Sequence, residues 1–199
     1  MEDEVNDSAK KYVDIIKKNT DRLINIINDL LTLSELEEHK SLKDIKKVNL
    51  CDILKNVVPL FKNRMKEKGL SFEIICRGRD FVIEGDAFKL EQVFINLIDN
   101  AYKYTEKGKI GVELIENENE ILIKISDTGI GIPKKDMKRV FERFYVVDKS
   151  RSKELGGTGL GLSIVKHIVN LHGGSISVES ELYKGSVFII RFPKKIEKV

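Results

Sequence analysis

Apolar residues recur along the opening stretch at steps of three, four and seven: Val5, Ala9, Tyr12, Ile16, Leu23, Ile26, Leu30 and Leu33. Ile15, Ile27, Leu31 and Leu36 widen the stripe. This spacing predicts one long helix from about Val5 to Glu37. Such a helix cannot bury its stripe on itself, so it needs a partner helix in a bundle or coiled coil. A polar, lysine-rich joint follows, Glu38 to Lys47.

Beyond the joint the period alternates between that of strands and that of helices, the mark of an α/β unit. Val48 to Leu50 reads as a short strand. Asp52 to Lys68 reads as a helix stopped by Gly69, with Pro59 as a kink point. Leu70 to Cys76 and Phe81 to Glu84 read as strands, and Asp86 to Tyr104 as a helix with Asp86 as its N-cap. Lys109 to Glu116 and Glu120 to Ser126 pair as a hairpin about Asn117-Glu118-Asn119. A weakly periodic stretch, Pro133 to Gly157, precedes a helix from Gly159 to His172 that Gly173-Gly174 ends. Ser175 to Glu179 and Ser186 to Phe192 close the chain as a hairpin turning near Lys184-Gly185.

Composition narrows the class. Of 199 residues, 41% are hydrophobic, enough for a buried core, and the 34% that are charged suit a solvated surface. A net charge of +3 is too small to argue for nucleic acid. No run approaches the length of apolar sequence a membrane helix needs, and no signal-peptide pattern opens the chain, so a cytoplasmic setting is expected. Cys51 and Cys76 form no CxxC pair and are expected to be reduced, buried thiols. His39, His167 and His172 have no zinc-type spacing.

Four local patterns carry candidate chemistry. On the Asp86–Tyr104 helix, Asn96, Asn100 and Lys103 are four and three apart and share one face, apart from the apolar Leu90, Phe94, Leu97 and Ala101. An amide oxygen can ligate Mg2+ without repelling a triphosphate, and the lysine can reach a phosphate oxygen. Asp127-Thr128-Gly129-Ile130-Gly131-Ile132 comes directly after a strand; its carboxylate can accept from the amino group of adenine, and its glycines let a flat base approach the backbone. Gly156-Gly157-Thr158-Gly159-Leu160-Gly161-Leu162 opens a helix, where free backbone N–H groups bind phosphate. It matches neither a Walker loop nor GxGxxG. Between the glycine patterns, Lys134 to Lys153 holds eight basic and three acidic residues, with Phe141-Glu142-Arg143-Phe144-Tyr145 as aromatic anchors, and is expected to be a mobile lid. Taken alone, the Asn96–Asn100–Lys103 face reads better as a solvated polar face, and each of the other patterns competes with an ordinary glycine-rich turn or basic surface loop.

Their order does not. Asn96 to Thr105, Asp127 to Ile132, Phe141 to Tyr145 and Gly157 to Leu162 resemble the N, G1, F and G2 boxes of the histidine-kinase ATPase family, over about Asn49 to Pro193. Asp29-Leu-Leu-Thr-Leu-Ser-Glu-Leu-Glu37 resembles the end of the second helix of that family's dimerisation and phosphotransfer hairpin. The resemblance implies a two-layer α/β sandwich, the Bergerat-type ATP-binding fold, with a mixed sheet of about five strands under three helices and a bundle-forming helix before it. It implies a hairpin helix over 1–40, a linker over 41–48 and an ATP-binding domain over 49–195 with its lid at about 133–157. The implied reaction is transfer of the γ-phosphoryl group of Mg-ATP to a histidine of the dimerisation domain, then to an aspartate of a response regulator receiver domain, in a kinase that is a homodimer at full length.

The implied roles are adenine binding by Asp127, Mg2+ and phosphate contacts by Asn96 and Asn100, phosphate binding by Lys103, and packing of Tyr104 by the nucleoside. Gly129, Gly131, Gly157, Gly159 and Gly161 give clearance, and Ile132, Tyr145, Thr158, Leu160 and Leu162 complete the ATP site. The family commonly has arginine where this chain has Val146, so Lys149 or Arg151 would stand in. Water-hydrolysing relatives have glutamate where Asn96 stands; an amide is no general base, which favours transfer to a side chain. The family's His-Glu-x-x-[Ser/Thr]-Pro acceptor box is absent from these 199 residues. The chain is therefore expected to begin between the two hairpin helices and not to phosphorylate itself. His172, in a last helical turn, is expected to be a cation favoured by the helix dipole, His167 to lie at the surface or an interface, and His39 to lie in the joint. A serine protein kinase of the same superfamily and a non-catalytic nucleotide-gated dimerisation module are the alternatives. The Asp29–Glu37 signature weighs against the first and the intact boxes against the second.

Overall fold

The computed structural model describes residues 2–38, 42 and 44–196, and of residues 2–8, 149, 153 and 154 it describes the backbone alone. His39 and the centre of the joint thus lie outside the described residues. The first helix, α1, runs Glu2–Glu38. Tyr12, Ile16, Leu23, Ile27 and Leu31 of its apolar face are exposed, whereas Leu33 and Leu36 are buried. The contacts of the helix with the rest of the chain come from its second half, from Arg22 to Leu36, while the exposed stripe keeps the unpartnered character expected of a bundle helix.

Strand β1, Lys46–Asn49, leads into α2, Leu50–Glu67. The polar run read as a joint thus ends in a strand; Val48 alone carries its apolar signal, and its pairing is made by backbone. The helix starts two residues before the expected Asp52, because Asn49 caps it by accepting from the Cys51 N–H at 2.9 Å. It passes through Pro59 and ends before Gly69, whose φ of +69° suits glycine. Next come β2, Leu70–Arg77, and β3, Val82–Gly85, which pairs antiparallel with β1 in a separate two-stranded ribbon. Helix α3, Ala87–Tyr104, is capped by Asp86, which accepts from the Phe88 and Lys89 N–H groups. Strands β4, Gly108–Glu116, and β5, Glu120–Asp127, form the expected hairpin. A 3-10 turn, Arg139–Phe141, and α4, Lys149–Glu154, interrupt the stretch expected to lack structure. Helix α5, Gly161–Leu171, and the strands β6, Ser175–Glu181, and β7, Gly185–Pro193, complete the chain.

The main sheet has the order β2-β4-β5-β7-β6, with β2 and β4 parallel and the other pairs antiparallel. Helices α2, α3 and α5 pack on it and on one another. Ile110, Val112 and Leu114 of β4, Ile121, Ile123 and Ile125 of β5, and Ile190 and Phe192 of β7 are buried at alternate positions. They meet Leu90, Phe94 and Leu97 of α3 and Ile164, Val165 and Ile168 of α5 in one core. This is the two-layer mixed-sheet sandwich that the sequence predicts. It sets the ends of α3, β5 and the α5 turn at one edge of the helix layer.

Three side chains differ from expectation. His172 is 1% exposed and is no surface cation. Its Nδ1–H donates to the Ile168 carbonyl at 2.8 Å, and its Nε2 accepts from the Asp86 N–H at 3.0 Å. This joins the end of α5 to the cap of α3 and requires a neutral ring. Burial pushes the imidazole below its usual range, against weaker opposing effects of the Ile168 carbonyl and Asp86. The helix-end dipole is outweighed because the ring has left water. The folded pKa is depressed, so the unfolded chain binds the extra proton first. Stability is intact above about pH 6.5 and falls as pH drops through the folded value. Between pH 7 and 5 the melting temperature is expected to drop several degrees more in the native chain than in His172→Gln. Parallel melting curves for the two would mean that His172 is not the titrating group.

The cysteines also differ. Cys51 is half-buried and Cys76 is exposed, and their Sγ atoms lie 3.3 Å apart. The sequence predicts two buried, reduced thiols. Both instead flank the outer edge of the sheet, where α2 begins and β2 ends.

Candidate functional site

Where α3, the end of β5 and the start of α5 converge, a cavity of about 340 Å3 opens against α1. That is the size of a small-ligand site. Of the residues singled out by sequence, Asn96, Asn100, Lys103 and Tyr104 of α3 line it. So do Asp127, Gly131, Ile132, Tyr145 and Arg151, together with Gly157, Thr158, Gly159, Gly161 and Leu162. Gly129 and Leu160 sit behind the wall rather than in it; Leu160 is fully buried in the core. The side chain of Lys149 lies outside the described residues.

Asp127 ends β5 with its carboxylate turned back on the following loop, accepting from the Gly129 N–H at 2.8 Å. Burial raises its pKa, and backbone hydrogen bonds from Gly129 and Ser186 partly oppose that. The glycines of this turn make room for protein rather than for a base. A Cβ at Gly131, whose φ is +69°, would stand 2.1 Å from the Glu181 carbonyl oxygen, and one at Gly129 would stand 2.3 Å from that of Tyr104. The turn is thereby locked between α3 and β6, which holds Asp127 still.

Charges in the cavity are already partnered. Lys103, expected to be free for phosphate, pairs with Asp99 at 2.7 Å, and Asp99 is also approached by Arg64 at 3.4 Å. Arg151 pairs with Glu106 at 2.6 Å and Arg143 with Glu37. Two of the lid's basic residues thus face carboxylates on neighbouring elements. Phe141 anchors the lid by packing edge-on against Phe188, with ring centroids 6.3 Å apart, and Val140 is buried beside it. Phe144 is exposed and anchors nothing. The Tyr145 hydroxyl donates to Asp136 at 2.7 Å, and Arg139 stacks 4.2 Å from its ring centroid.

Sequence reasoning missed the contribution of α1. Asn25, Asn28 and Asp29 line the cavity. The Thr158 hydroxyl donates to Asp29 at 2.7 Å, Arg22 donates to the Gly157 carbonyl at 3.2 Å, and His167 Nε2 lies 3.0 Å from the Leu36 carbonyl. Asp29 and Thr158 are 129 positions apart, so no local pattern could join them. Burial raises the Asp29 pKa, opposed by the Thr158 hydrogen bond and by Lys103.

Residues 85–196 match the family model for histidine kinase-, DNA gyrase B- and HSP90-like ATPases. The chain belongs to this family. Within the family it is similar to the sensor histidine kinases. It is 36% identical over 195 residues to the sensor histidine kinase WalK of Bacillus subtilis, a match covering 96% of this chain and 32% of WalK. The solved catalytic domain of the histidine kinase ThkA superposes with a TM-score of 0.70 at 30% identity, covering 79% of this chain and all of that domain. A structure of ThkA with the response regulator protein TrrA gives 0.76 at 28% identity, covering 96% of this chain and 52% of that one. Full-length ShkA in complex with AMPPNP gives 0.80 at 26% identity, covering 96% of this chain and 40% of that one. The longer overlaps take in α1 as well as the ATPase unit. This ATPase-family chain spans about a third of the length of WalK. Among the described residues no helix is long and apolar enough to cross a membrane.

Proposed function

We propose that this chain binds Mg-ATP in the cavity between α3, the two glycine turns and α1, and presents the γ-phosphoryl group to a histidine on a dimerisation domain. A receiver-domain aspartate of a response regulator would take the group next. The observation that carries this reading is the meeting of Asp127, Asn96, Asn100 and the Gly157–Gly161 turn around one cavity. The ligand of ShkA and the partner of ThkA support its two ends, nucleotide and receiver.

Asp127 would accept from the adenine amino group. Asn96 and Asn100, one turn apart on α3, would set the phosphates. The backbone N–H groups at the start of α5 would hold the terminal phosphates, as helix starts do. Arg151 would take the place of the arginine that Val146 replaces, after leaving Glu106. Asn96 cannot remove a proton from water, so the attacking atom must bring its own nucleophilicity, as a neutral imidazole does. The work of these residues is orientation and charge neutralisation.

The donor set fits Mg2+. Amide oxygens from Asn96 and Asn100, hard oxygen donors on neighbouring turns of α3, line the cavity. Bound there, Mg2+ would neutralise phosphate charge. Asp29, Asp99, Asp127 and Asp148 line the cavity against Lys103 and Arg151, so a bare triphosphate would meet net negative charge.

The test is incubation with γ-labelled ATP, alone and with a helical hairpin bearing a His-Glu-x-x-[Ser/Thr]-Pro box from a related kinase. Acid-labile, base-stable label should appear on the hairpin only. No label on any hairpin, despite bound ATP, would favour the non-catalytic module.

Asp29 opposes nucleotide in this arrangement, since it holds the Thr158 hydroxyl and adds a negative charge at the phosphate end. Asp29→Asn is expected to tighten ATP binding by roughly three- to tenfold, because the Thr158 hydroxyl would then donate to a neutral amide oxygen rather than a carboxylate and the repulsion of phosphate falls. Calorimetric titration decides this. Equal or weaker affinity in the variant would mean that α1 does not compete with ATP.

A further inference from the structure

Cys51 lies in the first turn of α2 and Cys76 next to the last residue of β2, the edge strand of the main sheet. The two are 25 positions apart, and the helix, turn and strand between them return the chain to its starting point, so that the sulfurs meet at 3.3 Å. A disulfide needs about 2.05 Å between sulfurs. Closing the difference asks for small side-chain rotations on elements already packed together. Exposure is unequal: Cys76 faces solvent and Cys51 is half-covered beside it.

We propose that Cys51 and Cys76 are a reversible oxidation site, closing to an intrachain disulfide under a peroxide or a low-molecular-weight disulfide and reopening with a thiol reductant. The inference is independent of the nucleotide reading, because no residue of α2 or β2 lines the cavity. Burial, and next the neighbouring Cys76, hold the Cys51 thiol well above its ordinary pKa, so the exposed sulfur reacts first. With hydrogen peroxide, the Cys76 sulfur attacks one oxygen, the O–O bond breaks, and water leaves, giving a sulfenic acid. The Cys51 sulfur then attacks the Cys76 sulfur. The S–S bond forms, the S–O bond breaks, and the oxygen leaves as a second water with the Cys51 proton. Two thiols give up two electrons and two protons, and one peroxide becomes two waters.

The bond ties the start of α2 to the end of β2 and removes freedom from the unfolded chain. For a loop of this length the melting temperature is expected to rise by roughly 5–10 °C. ATP affinity should stay unchanged.

The experiment treats the reduced full chain with hydrogen peroxide or oxidised glutathione and maps tryptic peptides without reductant. The expected product links the peptide of residues 48–55 to that of residues 69–77, with the thiol titre falling from two to zero. Dithiothreitol should restore both thiols and the original melting temperature. Cys51→Ser should lose the temperature rise and instead carry sulfinic acid or a glutathione adduct on Cys76. Such adducts on Cys76 in the native chain, with Cys51 still free, would overturn the proposal. So would disulfides found only between chains. The peptide map on the native chain decides the matter even if the serine variant is unstable.

Discussion

Asp127→Ala is expected to weaken ATP binding by roughly ten- to 150-fold, the worth of about 1.5–3 kcal/mol for a hydrogen bond to a charged acceptor. The carboxylate sits at the end of β5, half-buried, and is held by the Gly129 and Ser186 N–H groups. The fold should survive, since the β5–β7 ladder does not depend on this side chain. GTP should bind the native chain far more weakly than ATP, since guanine offers an oxygen where Asp127 requires a donor. The raised folded pKa adds a pH arm. As pH falls through that value the carboxylate takes a proton and its acceptor is lost, so ATP affinity should decline at a higher pH than for an ordinary aspartate. Calorimetry on the native and variant chains measures all three. Equal ATP affinity in both would remove Asp127 from the adenine subsite.

Gly185→Ala is expected to destabilise the chain by about 3–5 kcal/mol, lowering the melting temperature by at least 6 °C or so. At this position φ is +105°, where L side chains are strained, and a Cβ would stand 1.9 Å from the Asp127 carbonyl oxygen. The strand pairing that puts Asp127 opposite Ser186 would have to open. Nucleotide binding should therefore fall with stability, because β7 pairs with β5 at Asp127. Gly69→Ala supplies the control. Its φ is +69° but nothing lies within 4 Å of the added methyl, so the cost should stay near 1 kcal/mol. Thermal melts compare the three chains. A Gly185→Ala melt no lower than that of Gly69→Ala would show that the β5–β7 contact can yield.

The elements were legible where local chemistry sets them. The Asp86 cap, the Gly69 stop, the β4–β5 hairpin and the alternation of Ile121, Ile123 and Ile125 each follow from residues within one turn or one strand. The four boxes were legible for the same reason, since each is a short run on a single element or turn, and their order along the chain carried the family. Strand β1 was partly missed because Lys46 and Lys47 carry no apolar signal and its partner β3 lies beyond a whole helix and strand.

Other features depend on which surfaces meet. Lys103 reads as a free phosphate ligand until Asp99 takes it; His172 reads as a cation until Asp86 and Ile168 enclose it; Cys51 and Cys76 read as core thiols until the α2–β2 turn brings them together. The same holds for Asp29 on Thr158, which makes α1 a wall of the cavity. Periodicity and capping energies arise between residues a few positions apart, so the amino-acid order states them directly. Partner, protonation state and access to solvent arise between groups tens of positions apart, and they acquire values only when packing removes water from around them.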